Sequence, residues 1–171
     1  KKIVVTRPRE RSGTLAGRLS KLGADVYEYP CIRTEPIIPC PEMEAALNRL
    51  GDYTHLVLTS PAGVEALWGM LEREGKDARA LSGMTLAAIG PGTDRELRKH
   101  GLRADYIPAV YDAAHLGAGL AGMVSGRVLI LRAELGSPAL TEALERGKIP
   151  YDDIHCYTTA YESEHAAALR A

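Results

Sequence analysis

Thr54-His55-Leu56-Val57-Leu58-Thr59-Ser60-Pro61-Ala62-Gly63-Val64 is the stretch on which the fold turns. Leu56 to Leu58 is a short apolar run without helical periodicity, the pattern of a strand buried on both faces. Ser60 reads as a helix N-cap and Pro61 as the first helical residue, where its missing N–H costs nothing. Val64, Leu67, Trp68 and Leu71 carry the helix on at helical spacing. A buried strand that runs through Thr-Ser straight into a helix presents two hydroxyls and several unpaired backbone N–H groups. They lie at the carboxyl edge of a parallel sheet, where α/β proteins bind ligands. Any strand-to-helix joint wants such a cap, so the string by itself assigns no function.

Outward from this stretch, strands alternate with helices, the pattern of an α/β protein. Toward the N-terminus, Ile3-Val4-Val5-Thr6 is a strand and Arg7-Pro8 opens a helix with Leu15, Leu19 and Leu22 on one face, closed by Gly23. Val26 to Ile32 is a second strand, Pro36 to Pro41 an extended linker, and Glu42 to Leu50 a helix with Met43, Ala46, Leu47 and Leu50 inward. Toward the C-terminus come a strand at Leu86 to Ile89 and a helix opened by Gly90-Pro91-Gly92-Thr93. A short edge strand at Asp105 to Pro108 and a helix at Ala113 to Met123 follow. Val128 to Leu131 is a buried strand, Ser137-Pro138 starts a helix, and Ile154 to Thr158 is the last strand. Glu162 to Ala171 reads as the opening of another helix.

The chain also repeats itself. Ile3 to Thr34 matches Val128 to Thr159 at one constant offset, with Arg7 on Arg132, Leu15 on Leu140, Leu19 on Leu144, Cys31 on Cys156 and Thr34 on Thr159. Five strands from Thr54 to Thr159 suffice for a doubly wound sheet, whereas two before Pro36 do not stand alone. The expected architecture is α/β, with two similar doubly wound, flavodoxin-like parallel-sheet domains joined by a linker. Residues 1–35 are the first part of a discontinuous domain 1, and 36–159 are a complete domain 2. Residues 160–171 are the return linker and the start of the remainder of domain 1, so the chain is expected to continue past Ala171. The orphan N-terminal unit points to aggregation or a domain-swapped dimer.

Composition narrows the classes. The 171 residues are 46% hydrophobic and 25% charged, with a net charge of −1. That balance exerts no pull toward nucleic acid or a membrane surface, and no apolar run is long enough to span a bilayer or serve as a signal peptide. Cys31, Cys40 and Cys156 are spaced for neither a metal site nor a disulfide framework, which favours a reducing, cytoplasmic setting. The five histidines show no metal-ligand spacing. Gly90-Pro91-Gly92-Thr93 lacks the later glycine and acidic residue of a dinucleotide fingerprint.

In order and spacing, Val4-Val5-Thr6-Arg7-Pro8, Leu58 to Val64, Ala87 to Thr93, Tyr106-Ile107-Pro108 with Tyr111, Val128 to Arg132, and Cys156-Tyr157-Thr158-Thr159 resemble uroporphyrinogen-III synthase. The resemblance implies an enzyme that cyclises linear hydroxymethylbilane to uroporphyrinogen III. Water is lost and the last pyrrole ring is inverted, without metal or cofactor, and this chain alone is expected to have little activity. The substrate carries many carboxylates, so helix N-termini after Ser60, after Gly92-Thr93 and after Ser137 suit it, as do Arg7 and Arg132 at two strand ends. Thr59, Ser60, Gly92, Thr93 and Tyr111 are further candidate contacts. Tyr157 is the candidate proton donor, a phenol with an ordinary pKa of about 10 that assists an already good leaving group. The alternative is a non-catalytic doubly wound domain that binds a small anion.

Overall fold

Alternation of buried side chains along three strands explains the architecture. In the computed structural model, which describes residues 1–162, these elements follow one another: β1 (Lys2–Val5), α1 (Arg9–Lys21), β2 (Asp25–Glu28), β3 (Ile32–Pro36), α2 (Pro41–Leu47), β4 (His55–Leu58), α3 (Pro61–Arg73), β5 (Thr85–Ala88), α4 (Pro91–Lys99), α5 (Ala113–Met123), β6 (Val128–Ala133), α6 (Ala139–Arg146) and β7 (Tyr151–Tyr161). The chain divides into two units, one of Pro36–Thr158 and one of Lys1–Glu35 with the chain from Thr159 on.

In the larger unit, β7, β6, β4 and β5 lie side by side and parallel, within a sheet of order β3-β7-β6-β4-β5. Leu56 and Leu58 of β4, Leu86 and Ala88 of β5, and Leu129 and Leu131 of β6 enter one core with Met43 of α2, Leu67 and Leu71 of α3 and Leu97 of α4. The intervening Val57, Ala87, Val128 and Ile130 enter a second core with Leu116 and Leu120 of α5 and Leu140 and Leu144 of α6. A strand whose side chains alternate between two apolar layers must be apolar where it crosses them, which is what Leu56-Val57-Leu58 spells. From β4 the chain steps to β5 on one side and later to β6 on the other, so the order reverses at the carboxyl end of β4.

The edge strand expected at Asp105 to Pro108 is reduced to one parallel bridge, Ala87 to Tyr106. Asp105 binds Leu86 twice, its carboxylate accepting from the Leu86 N–H (2.8 Å) and its own N–H donating to the Leu86 carbonyl (2.8 Å). Pro108 then has no N–H to continue the ladder. At the opposite, amino end of the sheet, the Asp152 carboxylate accepts from Tyr53 Oη (2.5 Å), Arg49 Nη2 (3.1 Å) and Arg127 Nε and Nη2 (3.1 and 3.0 Å).

The smaller unit carries the parallel pair β1–β2 with α1, in which Val5, Ser12 and Ala16 are buried. Ile3 of β1 pairs with Val26 of β2, and at the repeat offset Val128 of β6 pairs with Tyr151 of β7. The two copies therefore share strand register as well as sequence pattern. Two expectations change here. The strand predicted over Val26 to Ile32 breaks into β2 and β3, because the pairing with β1 ends at Glu28 and Pro30 cannot donate. Leu22 caps the end of α1 and is 84% exposed, so it is not part of the helix's inner face. Cys31 is half-buried between the strands, unlike Cys156, which is 1% exposed. The helix predicted from Glu162 onward, and most of the return segment 160–171, lie outside the described residues. Among the described residues no helix is long and apolar enough to cross a membrane.

Candidate active site

Because β4, β5 and β6 are parallel and in register, their three exits lie along one edge. Leu58 pairs with Ala88 on one side and Leu131 on the other, so Thr59, Ile89 and Arg132 are the next residues side by side along that edge. The Ile89 N–H donates to the Leu58 carbonyl (3.0 Å) and ties the first two exits together.

At the β4 exit, Ser60 is extended (φ −162°) and its hydroxyl accepts from the Gly63 N–H (3.0 Å), the N-cap that its sequence context predicts. Thr59 and Ser60 are both half-buried. At the β5 exit Gly90 caps α4, and its carbonyl accepts from the N–H groups of Thr93 and Asp94. Gly92 is half-buried, whereas the Thr93 side chain is only 2% exposed and so belongs to the turn's interior. Asp94 accepts from the Ala104 N–H (2.9 Å) and from Arg98 Nε (2.8 Å), with its carboxyl held below the usual range mainly by the Ala104 amide. That bond straps the loop after α4 to its first turn.

Tyr111 is brought to this turn. A Cβ built on Gly90 would stand 3.2 Å from Tyr111 Cβ and 3.3 Å from its Cγ, yet the residue is 62% exposed. Its place is set by Asp112, which caps α5 by accepting from the His115 N–H (2.8 Å).

At the β6 exit the expected free carboxylate clamp is not free. Arg132 is 7% exposed, donating from Nε and Nη2 to Asp153 (2.7 and 2.5 Å) and from Nη1 to the Ser137 carbonyl (2.5 Å). Nothing in the sequence reading singled out Asp153. The signal was available in the repeat, where Glu28 occupies the matching position and accepts a bond from Ser12. The helix after Ser137 begins one residue later than expected, at Ala139, with a long Ser137 bond to its N–H (3.3 Å). Tyr157 lies opposite Ala133 beyond a bulge in the β6–β7 ladder and is 8% exposed within the first core. The Tyr157 carbonyl accepts from the Glu134 N–H (3.1 Å), and Glu134 accepts from the Thr158 hydroxyl (3.1 Å). Arg7 is exposed and belongs to the smaller unit.

Beside the β6 and β7 ends lies a cavity of about 310 Å³ lined by Ile37, Glu42, Glu134, Asp153, Ile154 and His155. Among the described residues, no three His, Cys, Asp or Glu side chains are grouped to hold a metal ion.

The model of the family described as uroporphyrinogen-III synthase HemD matches residues 13–171. The chain belongs to the uroporphyrinogen-III synthase family. The porphyrin biosynthesis protein HemD of Ruminiclostridium josui is 35% identical over 171 residues, covering 99% of this chain and 34% of that protein. The uroporphyrinogen-III synthase of Synechococcus elongatus is 31% identical, covering 85% of this chain and 55% of its own length. The chain thus spans between a third and little more than half of these relatives. Among solved structures, a mutant uroporphyrinogen III synthase of Thermus thermophilus superposes with a TM-score of 0.66 at 21% identity, covering 99% of this chain and 68% of that one. The Helicobacter pylori enzyme does so at 0.54 and 17%, covering 84% and 62%. At these identities the likeness concerns the fold alone.

Proposed function

We propose that this chain forms part of an enzyme that cyclises hydroxymethylbilane to uroporphyrinogen III, acting at the carboxyl edge of β4, β5 and β6. The observation that carries the reading is the family match over residues 13–171, and Leu58 to Val64, Ala87 to Thr93 and Val128 to Arg132, by which the sequence resembles that family, fall on these strand exits. In the full enzyme, 1–35 would belong to a discontinuous first domain and 36–159 would form a complete second one.

The chemistry is positioning first. Loss of the hydroxyl from the substrate's terminal carbon leaves a resonance-stabilised cation that pyrrole carbons attack without further activation. The enzyme must therefore hold the chain so that the last ring attacks through its substituted carbon. Backbone N–H groups around Ser60 and Gly92 offer hydrogen bonds to substrate carboxylates at the N-terminal ends of α3 and α4. Thr59 and Tyr111 flank them, Tyr111 offering a ring face to a pyrrole. Thr93 supports this turn from within. Arg7, exposed just past β1, is a further proposed partner for a substrate carboxylate. The cavity lined by Glu42, Glu134 and Asp153 would repel carboxylates, so those groups of the substrate face the N–H edge instead.

Tyr157 is the proposed proton donor to the departing hydroxyl. Its buried ring keeps the phenol in one place, which a positioned acid requires. The test is an assay of the natural protein that carries this chain, with freshly generated hydroxymethylbilane and separation of the type III product from the type I isomer that forms spontaneously. Predominantly type III product is expected. A Tyr157→Phe variant should keep its fold and lose about tenfold or more in kcat. Type I product alone, at the uncatalysed rate, overturns the function, and an unchanged kcat overturns the role of Tyr157.

A further inference from the structure

Arg132 is the most tightly held charged side chain on the candidate edge, and the loop it touches has a sequence reason to need holding. In the first repeat copy, α1 begins at Arg9, close behind β1; in the second, α6 begins only at Ala139. Pro138 forces this difference, because the residue before a proline is driven out of the helical region and its ring displaces a helical N–H. Residues 134–138, which match the opening of α1 in the repeat, therefore form a loop.

Arg132 runs beneath that loop. Its Nη1 donates to the Ser137 carbonyl, and a Cβ placed on Gly136 would lie 2.8 Å from Arg132 Cδ and 2.9 Å from Nη1. The loop thus closes over the guanidinium at a glycine, and only a glycine leaves room. Asp153 supplies the opposite charge through two bonds from β7. At the tip, Leu135 is 88% exposed and Glu134 is hydrogen-bonded to Thr158, beside Tyr157. The other copy supplies a contrast. There Ser12 donates to Glu28, at the positions of Ser137 and Asp153, while Arg7 is exposed and has no partner among the described residues.

We infer that Arg132 is a positioning residue that fixes the loop 134–138 over the candidate edge, with Asp153 as its counter-charge, and that it does not itself grip a substrate carboxylate. What the fixed loop serves rests on the proposed function; that Arg132 fixes it does not. A 1 Å error in placing the reacting ring can cost about a hundredfold in rate, so a loose loop should be felt in turnover more than in affinity.

Two variants separate the possibilities. Asp153→Asn removes the counter-charge, and Gly136→Ala pushes the guanidinium aside while both charges remain, so that one survives as a test if the other fails to fold. In each, amide exchange of Glu134 and Gly136, whose N–H groups bond the Tyr157 and Ala133 carbonyls, is expected to rise by about tenfold or more, with β4 and α3 still protected. With hydroxymethylbilane, kcat for the type III isomer is expected to fall about tenfold, the type I share to rise and KM to stay within about threefold. A lower KM in Asp153→Asn would mean that a freed Arg132 binds substrate, and would overturn the inference. Unchanged exchange in both variants, or faster exchange with unaltered kcat and product ratio, would overturn it too. If the parent enzyme proves inactive on hydroxymethylbilane, the proposed function falls, and the exchange measurement alone decides whether Arg132 holds the loop.

Discussion

Single residues at the strand exits do more structural work than their exposure suggests. Ser60 accepts the Gly63 N–H at the start of α3, and Gly63 itself sits so close to β6 that a Cβ there would come within 3.3 Å of the Leu131 carbonyl. Ser60→Ala should therefore cost about 1 kcal/mol of stability, the ordinary worth of an N-cap, measurable by urea denaturation. A loss near zero would show that the cap is replaced by solvent. The residue scale is also where composition misleads most. Arg132 and Arg7 hold equivalent places in the repeat, yet one is buried against Asp153 and the other exposed. The difference arises from Pro138 and Gly136, several positions away, which open the loop that Arg132 enters.

At the scale of elements, α5 and α6 are the tightest joint in the larger unit. A Cβ on Gly117 would lie 2.7 Å from Ala143 Cβ and 3.1 Å from the Leu140 carbonyl, so the two helices meet where one has no side chain. Gly117→Ala must push α6 away from α5 and strain the core around Leu116, Leu120, Leu140 and Leu144, which are fully buried. A destabilisation of about 1–3 kcal/mol is expected despite the gain in helix propensity. Calorimetric melting checks it, and a stabilised variant would show that the helices can separate without loss.

At the scale of the whole larger unit, charge at the amino end of the sheet sets the response to pH. Hydrogen bonds from Arg127 hold the Asp152 carboxyl below its usual range, and burial pushes the His55 imidazole below its own. Both contributions are complete above the unfolded-state values and are lost as pH falls through the folded ones, first for His55 and then for Asp152. Burial, with Asp152 as acceptor, pushes the Tyr53 phenol from 10.0 up to about 12, so its contribution is complete below pH 10 and disappears between there and about 12. Tyr53→Phe should melt lower than the parent at neutral pH by about 1–2 kcal/mol, with the gap narrowing above pH 10; a constant gap would refute the assignment. The layered α/β organisation, the register of the repeat and the cap at Ser60 were legible in the chain because they follow from local periodicity, proline placement and alternation within a few residues. The break after Glu28, the shrinkage of the Asp105–Pro108 strand and the pairing of Arg132 with Asp153 were not. Each depends on which distant backbone or charge the fold brings alongside. The sequence by itself thus determined the alternation of strands and helices and the starts of α3, α4 and α5. Only the tertiary structure decided which charged groups are already engaged, because a salt bridge between neighbouring strands is set by their register.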